Sequence, residues 1–436
     1  MAGLAAGCVN LAPPYQAPAL AVAASADQDG MQLAVLPWRA AYTDARLRQL
    51  IALSLENNRD LRIAGLNLAR AREQYQVTRA AGGPAIDAGA NASRSKDAPT
   101  QWSASLGLAA YELDFFGRVR NLDATALQDF LARDATRRSV QISLVAETAN
   151  AWLALAADLQ RQALARRTLD NLEQGYALTA VRVRLGATGD LPLTQAGTAV
   201  QAAKAELLSY SARIAQARHA LDLVAGCAVP AALLPQAEEG GELMVLAAAP
   251  AGVSSTVLQR RPDVQAAEHA LQGAYANIGV VRAARFPRIA LTGAAGSGGD
   301  QLARLFQNGG WNAGAALSVP VFDGGAGRAN VRAAGIDRDL ALARYDRAVQ
   351  TAFAEVADAL AVAATLAERL AVQQALLNAS RRQLALAEAL YRTGGSSQLE
   401  LLYAQRQLFG AESGLVDLRQ TVQVNRITVY KVLGGG

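Results

Sequence analysis

Side chains able to do chemistry are few in this chain and poorly placed for it. The 436 residues include two histidines, His219 and His269, and two cysteines, Cys8 and Cys227. Neither histidine has a Cys or His close by, whereas a zinc site needs several such ligands at short spacing. Gly324-Gly325-Ala326-Gly327-Arg328 lacks the spacing and the lysine of a phosphate-binding loop. No Gly-x-Ser-x-Gly elbow presents a nucleophile. Glu238-Glu239 reads as a solvated pair, and three methionines are too few for a copper path. The expectation is therefore no enzyme, no cofactor and no metal. Cys8 alone has suggestive neighbours. Leu4-Ala5-Ala6-Gly7-Cys8 places small residues before a cysteine, the pattern of one lipidated after signal cleavage. Seven residues precede it, fewer than the charged and apolar regions of a secretory signal require. An ordinary cysteine in an Ala/Gly-rich start is the other reading. A bridge from Cys8 to Cys227 has no supporting spacing.

Without a reaction to position, the elements themselves carry the information. Hydrophobic residues make up 52% of the chain and aromatics only 5%, so the apolar content is chiefly Ala, Leu and Val. Alanine favours helices and lets them approach closely. The net charge of +5 is scattered among acids, which leaves no stripe for nucleic acid. There is no run of 18 or more apolar residues, so no transmembrane helix is expected. Barrel strands, short and apolar on one side only, stay open.

Residues 1–40 read as an N-terminal tether, lipidated at Cys8, with a Pro- and Ala-rich segment. A first repeat spans 41–226. Its helical pieces at 44–59 and 61–81 are broken at Asn57-Asn58, and Gly82-Gly83-Pro84 ends them. Period-two alternation at 85–114 then predicts a β-hairpin. Helical spacing resumes at 118–185 without proline, a length of roughly 100 Å if unbroken. Gly186-Ala187-Thr188-Gly189-Asp190 turns the chain, with Asp190 or Thr188 the expected cap of a return helix at 191–226. A linker at 227–253 follows. The second repeat, 254–436, has a helix ending before Pro287, a hairpin at 288–322, a long helix at 328–392 and a return helix at 399–433. Its strands are expected at 288–297 and 311–322, around a Gly-rich loop.

The two halves match by offset. Before the hairpin tips it is 203 residues, as in Asp60/Asp263, Arg79/Arg282 and Pro84/Pro287. After them it is 208, as in Gly117/Gly325, Arg184/Arg392, Gly186/Gly394 and Leu191/Leu399. Matching Pro, Gly and Arg punctuation marks an internal duplication, and the change of offset falls in loops that absorb insertions.

Ile86, Ala88, Ala90, Trp102, Leu106 and Leu108 would share one strand face, and Asp87, Asn91, Ser103 and Ser105 the other. Two architectures fit. A small sandwich would bury the apolar face against a second sheet. A membrane barrel would put it against lipid and the polar face against water. Strands of about 10 residues suit a tilted bilayer crossing. Aromatics at the strand ends, among them Tyr111, Phe115, Phe116, Phe286 and Phe322, suit its interfaces. Four strands cannot close a barrel, so copies would have to combine.

Several stretches together resemble the TolC-like outer membrane factors, and within them the NodT-type lipoproteins of RND efflux pumps. They are Tyr111-Glu-Leu-Asp-Phe-Phe-Gly-Arg-Val-Arg120, Arg260-Arg-Pro-Asp-Val-Gln-Ala-Ala-Glu268, Val319-Pro-Val-Phe-Asp-Gly-Gly325 and Ala352-Phe-Ala-Glu-Val-Ala-Asp-Ala-Leu360. Tyr391-Arg-Thr-Gly394 and Val429-Tyr-Lys-Val-Leu-Gly-Gly435 join them. The resemblance implies a mainly α fold with a membrane β-barrel. Three copies would build a 12-stranded outer-membrane barrel and a periplasmic α-barrel. It implies a passive exit duct, lipid-anchored in the outer membrane, working with a periplasmic adaptor and an inner-membrane RND transporter. The gate and adaptor contacts then fall at the two helix turns, on Arg184, Gly186, Asp190, Leu191, Arg392, Gly394, Leu399, Tyr403 and Arg406. Relatives often carry an aspartate where Leu401-Leu402-Tyr403-Ala404-Gln405-Arg406 has Tyr403, so a neutral constriction from Leu399 and Tyr403 replaces an acidic one. Packing of Tyr403 between helices is the alternative. A type I protein-secretion duct and, in a different class, a soluble coiled-coil scaffold are the competing functions.

Overall fold

The structure, a computed structural model, describes residues 9–18, 37–236, 260–307 and 309–435. Cys8, residues 237–253 of the expected linker and the first residues of the expected second repeat, 254–259, lie outside the described residues. In order, the elements are α1 (Trp38–Ala41), α2 (Ala45–Asn57), α3 (Arg59–Ala80), β1 (Ala85–Ser93), β2 (Gln101–Leu113), α4 (Arg118–Arg184) and α5 (Asp190–Ala225). After them come α6 (Pro262–Ala283), β3 (Arg288–Gly299), β4 (Gly309–Ser318), α7 (Ala326–Thr393) and α8 (Gln398–Val432). The order helix, hairpin, long helix, return helix thus occurs twice. The compact units cut across that repetition. One holds Ala64–Arg137 and Pro262–Gln350 with segment 9–18, and the other holds 37–63, Arg138–Arg261 and Thr351–Gly436.

In the first unit the two hairpins form one antiparallel sheet, ordered β1-β2-β3-β4. The sandwich reading is thereby overturned, because β2 pairs with β3 instead of facing it. The register is continuous from Leu106↔Ala88 on one side to Leu106↔Ala295 on the other. It places Ile86, Ala88, Leu106, Leu108, Leu291, Ala295, Trp311 and Leu317 on one face, and Asp87, Asn91, Ser103, Ser105, Thr292 and Asn312 on the other. The pairing shifts between Leu108 and Tyr111. There β2 has one residue more than β3, a β-bulge. Without it, strict alternation would put Glu112 among the leucines. With it, Tyr111 and Leu113 stay on the apolar face, opposite Leu291 and Ile289.

The second hairpin differs from its expected bounds. β3 continues to Gly299, β4 starts at Gly309, and β4 stops at Ser318 instead of reaching 322. Pro320, which has no N–H to give a ladder, explains the early stop. Within the loop, Leu302–Arg304 forms a 3-10 turn. Strands of 9, 13, 12 and 10 residues are long enough to cross a bilayer when tilted.

Segment 9–18 is tied to this unit by directed hydrogen bonds. The Val9 N–H donates to the Phe115 carbonyl at 3.0 Å. Asn121 Nδ2 donates to Asn10 Oδ1 at 2.8 Å, Arg282 Nη1 to the Leu11 carbonyl at 3.2 Å, and the Tyr15 hydroxyl to Glu268 Oε1 at 3.1 Å.

In the second unit, α1, α2 and the turn between them insert Trp38, Tyr42, Leu47, Leu50 and Ile51 against Val145, Ala149, Trp152 and Leu153 of α4, Leu221 of α5 and Ile427 of α8. The Trp152 indole N–H reaches the Leu233 carbonyl at 3.0 Å, so the largest buried ring leaves no polar atom unpaired. Asp44 caps α2 through Arg46 N–H at 2.8 Å and Leu47 N–H at 3.1 Å. The break at Asn57-Asn58 is a built joint. Asn58 Nδ2 donates to the Val224 carbonyl at 2.8 Å, and its Oδ1 accepts the Leu61 N–H at 2.9 Å.

Helices α4 and α7 each hold a stretch long and apolar enough to cross a membrane by length and composition. No such helix was expected from the sequence, and alanine supplies the stretches. At 67 and 68 residues these helices far exceed the roughly 20 that a bilayer takes.

Candidate functional site: two helix turns and a two-faced sheet

The long helices end in the same way. At the first turn Gly186 N–H donates to the Val183 carbonyl and Ala187 N–H to the Arg182 carbonyl, both at 2.9 Å. At the second, Gly394 N–H donates to the Tyr391 carbonyl at 3.3 Å and Gly395 N–H to the Leu390 carbonyl at 2.8 Å. Both are Schellman turns, which need a left-handed residue after the helix. Gly186 and Gly394 supply it, with φ of +68° and +78°.

The starts of the return helices differ. Ser397 caps α8, its hydroxyl accepting the Glu400 N–H at 3.3 Å while Glu400 Oε2 accepts the Ser397 N–H at 2.9 Å. For α5 neither Thr188 nor Asp190 is the cap, contrary to expectation. The position belongs to Gly189, which has no side chain to give, and Asp190 lies in the first helical turn. There its charge meets the positive end of the helix dipole.

Of the expected site residues, Leu399 and Tyr403 lie one helical turn apart on the same side of α8, both exposed. Tyr403 keeps 53% of its surface in the chain, so it is not packed between this chain's own helices. Arg184 and Leu191 are exposed beside the first turn, where Leu185 is 76% exposed. Arg392 Nε donates to the Glu388 carbonyl at 3.2 Å and stays on its own helix. Arg406 lies two turns along α8 from Leu399. Sequence reading missed the contact between the turns. The Arg182 guanidinium sits 5.0 Å from the centre of the Tyr391 ring, and the Tyr391 hydroxyl donates to Gln398 Oε1. Nothing local signals a pair so far apart in sequence, but Ser397-Gln-Leu-Glu400 is a legible capping box.

The sheet is the other half of the site. Its apolar face is uncovered, with Leu106 59% and Trp311 82% exposed. A bare apolar face of this kind marks an interaction surface. Trp102 and Trp311 sit toward one end of the strands. Phe115, Phe116 and Phe286 sit at the other, the last two stacked at 4.8 Å. On the polar face Glu112 accepts from Arg118 Nη2 at 2.6 Å and Arg288 Nη2 at 2.7 Å. β1 and β4 are both edge strands. Among the described residues, no group of three or more His, Cys, Asp or Glu could hold a metal ion.

Long helices repeated in pairs, glycine turns, and a sheet with one apolar and one polar face are the parts of a membrane channel. The chain belongs to the outer membrane efflux protein family, whose model matches residues 50–227 and 253–435. The antibiotic efflux pump outer membrane protein ArpC of Pseudomonas putida is 40% identical, over 99% of this chain and 93% of its own. The probable outer membrane lipoprotein SilC of Salmonella typhimurium is 36% identical, over 99% of this chain and 96% of its own. The open state of the MtrE outer membrane channel of Neisseria gonorrhoeae superposes with a TM-score of 0.88 at 33% identity, over 98% of both chains.

Proposed function

We propose that three copies of this chain form the passive exit duct of a tripartite efflux system that exports drugs or other small molecules. The observation that carries this reading is the four-stranded sheet with a bare apolar face and two unpaired edges. In lipid every backbone N–H and C=O needs a partner, so each edge must meet the edge of another copy. Three copies give 12 strands. An exit duct receives its cargo from an inner-membrane transporter through a periplasmic adaptor. The name of ArpC as part of an efflux pump supports an adaptor and an RND-type transporter in those places over a protein-secretion exporter. The chain carries no chemistry of its own on this reading.

The helix turns at Gly186 and Gly394, with Arg184, Asp190, Leu191, Arg392, Leu399, Tyr403 and Arg406, form the gate and adaptor contact. Cys8 carries the lipid anchor. The name of SilC as a lipoprotein supports this, as does the tie of Val9 to the Phe115 carbonyl at the end of β2. The mass of the detergent-purified protein tests the assembly. Three chains per particle are expected, and a monomer recovered without detergent would overturn the duct.

A further inference from the structure

The two hairpins are copies down to single pairs. Laying Ile86 of β1 on Ile289 of β3, and Trp102 of β2 on Trp311 of β4, brings the two ladders into coincidence. Ile86↔Leu108 falls on Ile289↔Leu317, Ala92↔Trp102 on Ala295↔Trp311, and Ala85↔Ala109 on Arg288↔Ser318. The inner seam, β2 against β3, is then a template for the two edges that the sheet leaves open, β4 and β1.

In the inner seam β2 runs past the end of β1. Its overhang, Tyr111–Leu113, is taken up by β3 as Tyr111↔Leu291 and Leu113↔Ile289. β4 is followed by the same overhang. Counted back from Gly325 as from Gly117, Val319 stands for Tyr111 and Val321 for Leu113. β3 begins at Arg288, opposite Ser318, and offers these residues no partner. Val321 is left 93% exposed and, at the other edge of the sheet, Ile86 73% exposed. One residue differs between the copies. β2 holds Ala109 and Ala110 between Leu108 and Tyr111, where the second hairpin holds Ser318 alone between Leu317 and Val319. The extra residue is the bulge of β2, which β4 therefore lacks.

We propose that β4 of one copy pairs with β1 of the next in the register of the inner seam, as one unshifted ladder: Ala315↔Ala92, Leu317↔Ala90, Val319↔Ala88 and Val321↔Ile86. This rests on the three-copy duct and specifies how its copies meet. Each pair joins residues of the apolar face, and a shift of one residue would set apolar against polar. Val321 and Ile86, bare in the single chain, become a cross-strand pair of β-branched side chains. Pro320, in the place of Glu112, withholds a single N–H from the ladder. Without a bulge to bend it, the seam between copies is straighter than the seam inside the chain.

The test is disulfide trapping in the full chain in detergent, with the unaltered protein as the control for its own cysteines. Directly opposite residues have Cβ atoms about 4.5–5.5 Å apart and residues two places along roughly 7–8 Å, whereas a disulfide spans about 3.5–4.5 Å. Asn91→Cys with Ala316→Cys, and Ala92→Cys with Ala315→Cys, set thiols opposite each other on neighbouring rungs, one of each hydrogen-bonding kind. Shifted pairs move the second cysteine two residues either way, to Gly314 or Ser318 for Asn91→Cys and to Ala313 or Leu317 for Ala92→Cys. After oxidation, at least one in-register variant should run as a covalent trimer on a non-reducing denaturing gel, and the shifted variants as single chains. A covalent trimer from a shifted pair but from neither in-register pair overturns the register. So does its absence from every pair while the particle still holds three chains, and the duct then stands. An unaltered particle of one chain overturns both.

Discussion

At the scale of single residues, two side chains separate stability from function. Burial alone would raise the Asp44 carboxyl, but hydrogen bonds from the Arg46 side chain and from the N–H groups of Leu47 and Arg46 outweigh it. They hold the group below the ordinary Asp range. A carboxyl depressed by folding stabilises the native state above its unfolded pKa of about 3.9 and loses that contribution as pH falls through the lower folded value. Asp44→Ala should therefore cost about 1 kcal/mol at pH 7, the usual worth of such a cap. Thermal melts of the two proteins should converge as the pH falls below the folded value. A deficit that persists there would mean that Asp44 acts through packing. Tyr403 belongs to function. If it forms a neutral constriction with Leu399, Tyr403→Ala should raise single-channel conductance and change drug susceptibility without lowering the melting temperature. Unchanged conductance would return Tyr403 to a packing role against a neighbouring copy.

At the scale of elements, the two turns share one C-terminal motif and differ at the next N-terminus. Only α8 has a capping box, and such caps contribute about 1 kcal/mol. Amides at the start of α5 should therefore exchange with deuterium several-fold faster than those at the start of α8. Ser397→Ala should bring the two rates together, and equal rates in the unaltered protein would show that other contacts govern the turns. Much of this level was legible in the sequence. The hairpins stood out because alternation is abrupt between long helical stretches. The glycine turns stood out because each repeats at constant offset. The bulge in β2 was not legible, since Ala109-Ala110 carries no pattern that distinguishes a bulge from an ordinary pair. Nor was the end of β4, where Val319 and Val321 continue the alternation past the point at which Pro320 breaks the ladder. The α5 cap was misread because three polar or flexible residues compete for one position, and the backbone alone decides among them. The Arg182–Tyr391 contact depends on how distant helices lie together, which no local spacing encodes.

At the scale of the whole molecule, duplication accounts for the architecture. Each half contributes one hairpin, one long helix and one return helix. Pairing β2 with β3 joins the two hairpins into a sheet that still has an edge on either side. The same chain therefore supplies both surfaces that a ring of identical copies needs, and a closed ring is the symmetric way to satisfy them. The faces of that sheet then decide the function, because a channel exists only if the polar side lines water. Conductance through reconstituted Ser105→Cys and Leu106→Cys channels, before and after a bulky water-soluble thiol reagent, tests this most directly, with unaltered protein as the control for Cys227. The account predicts discrete pores, reduced by the reagent in Ser105→Cys and unaffected in Leu106→Cys. Absence of pores, or block in Leu106→Cys but not in Ser105→Cys, would contradict it.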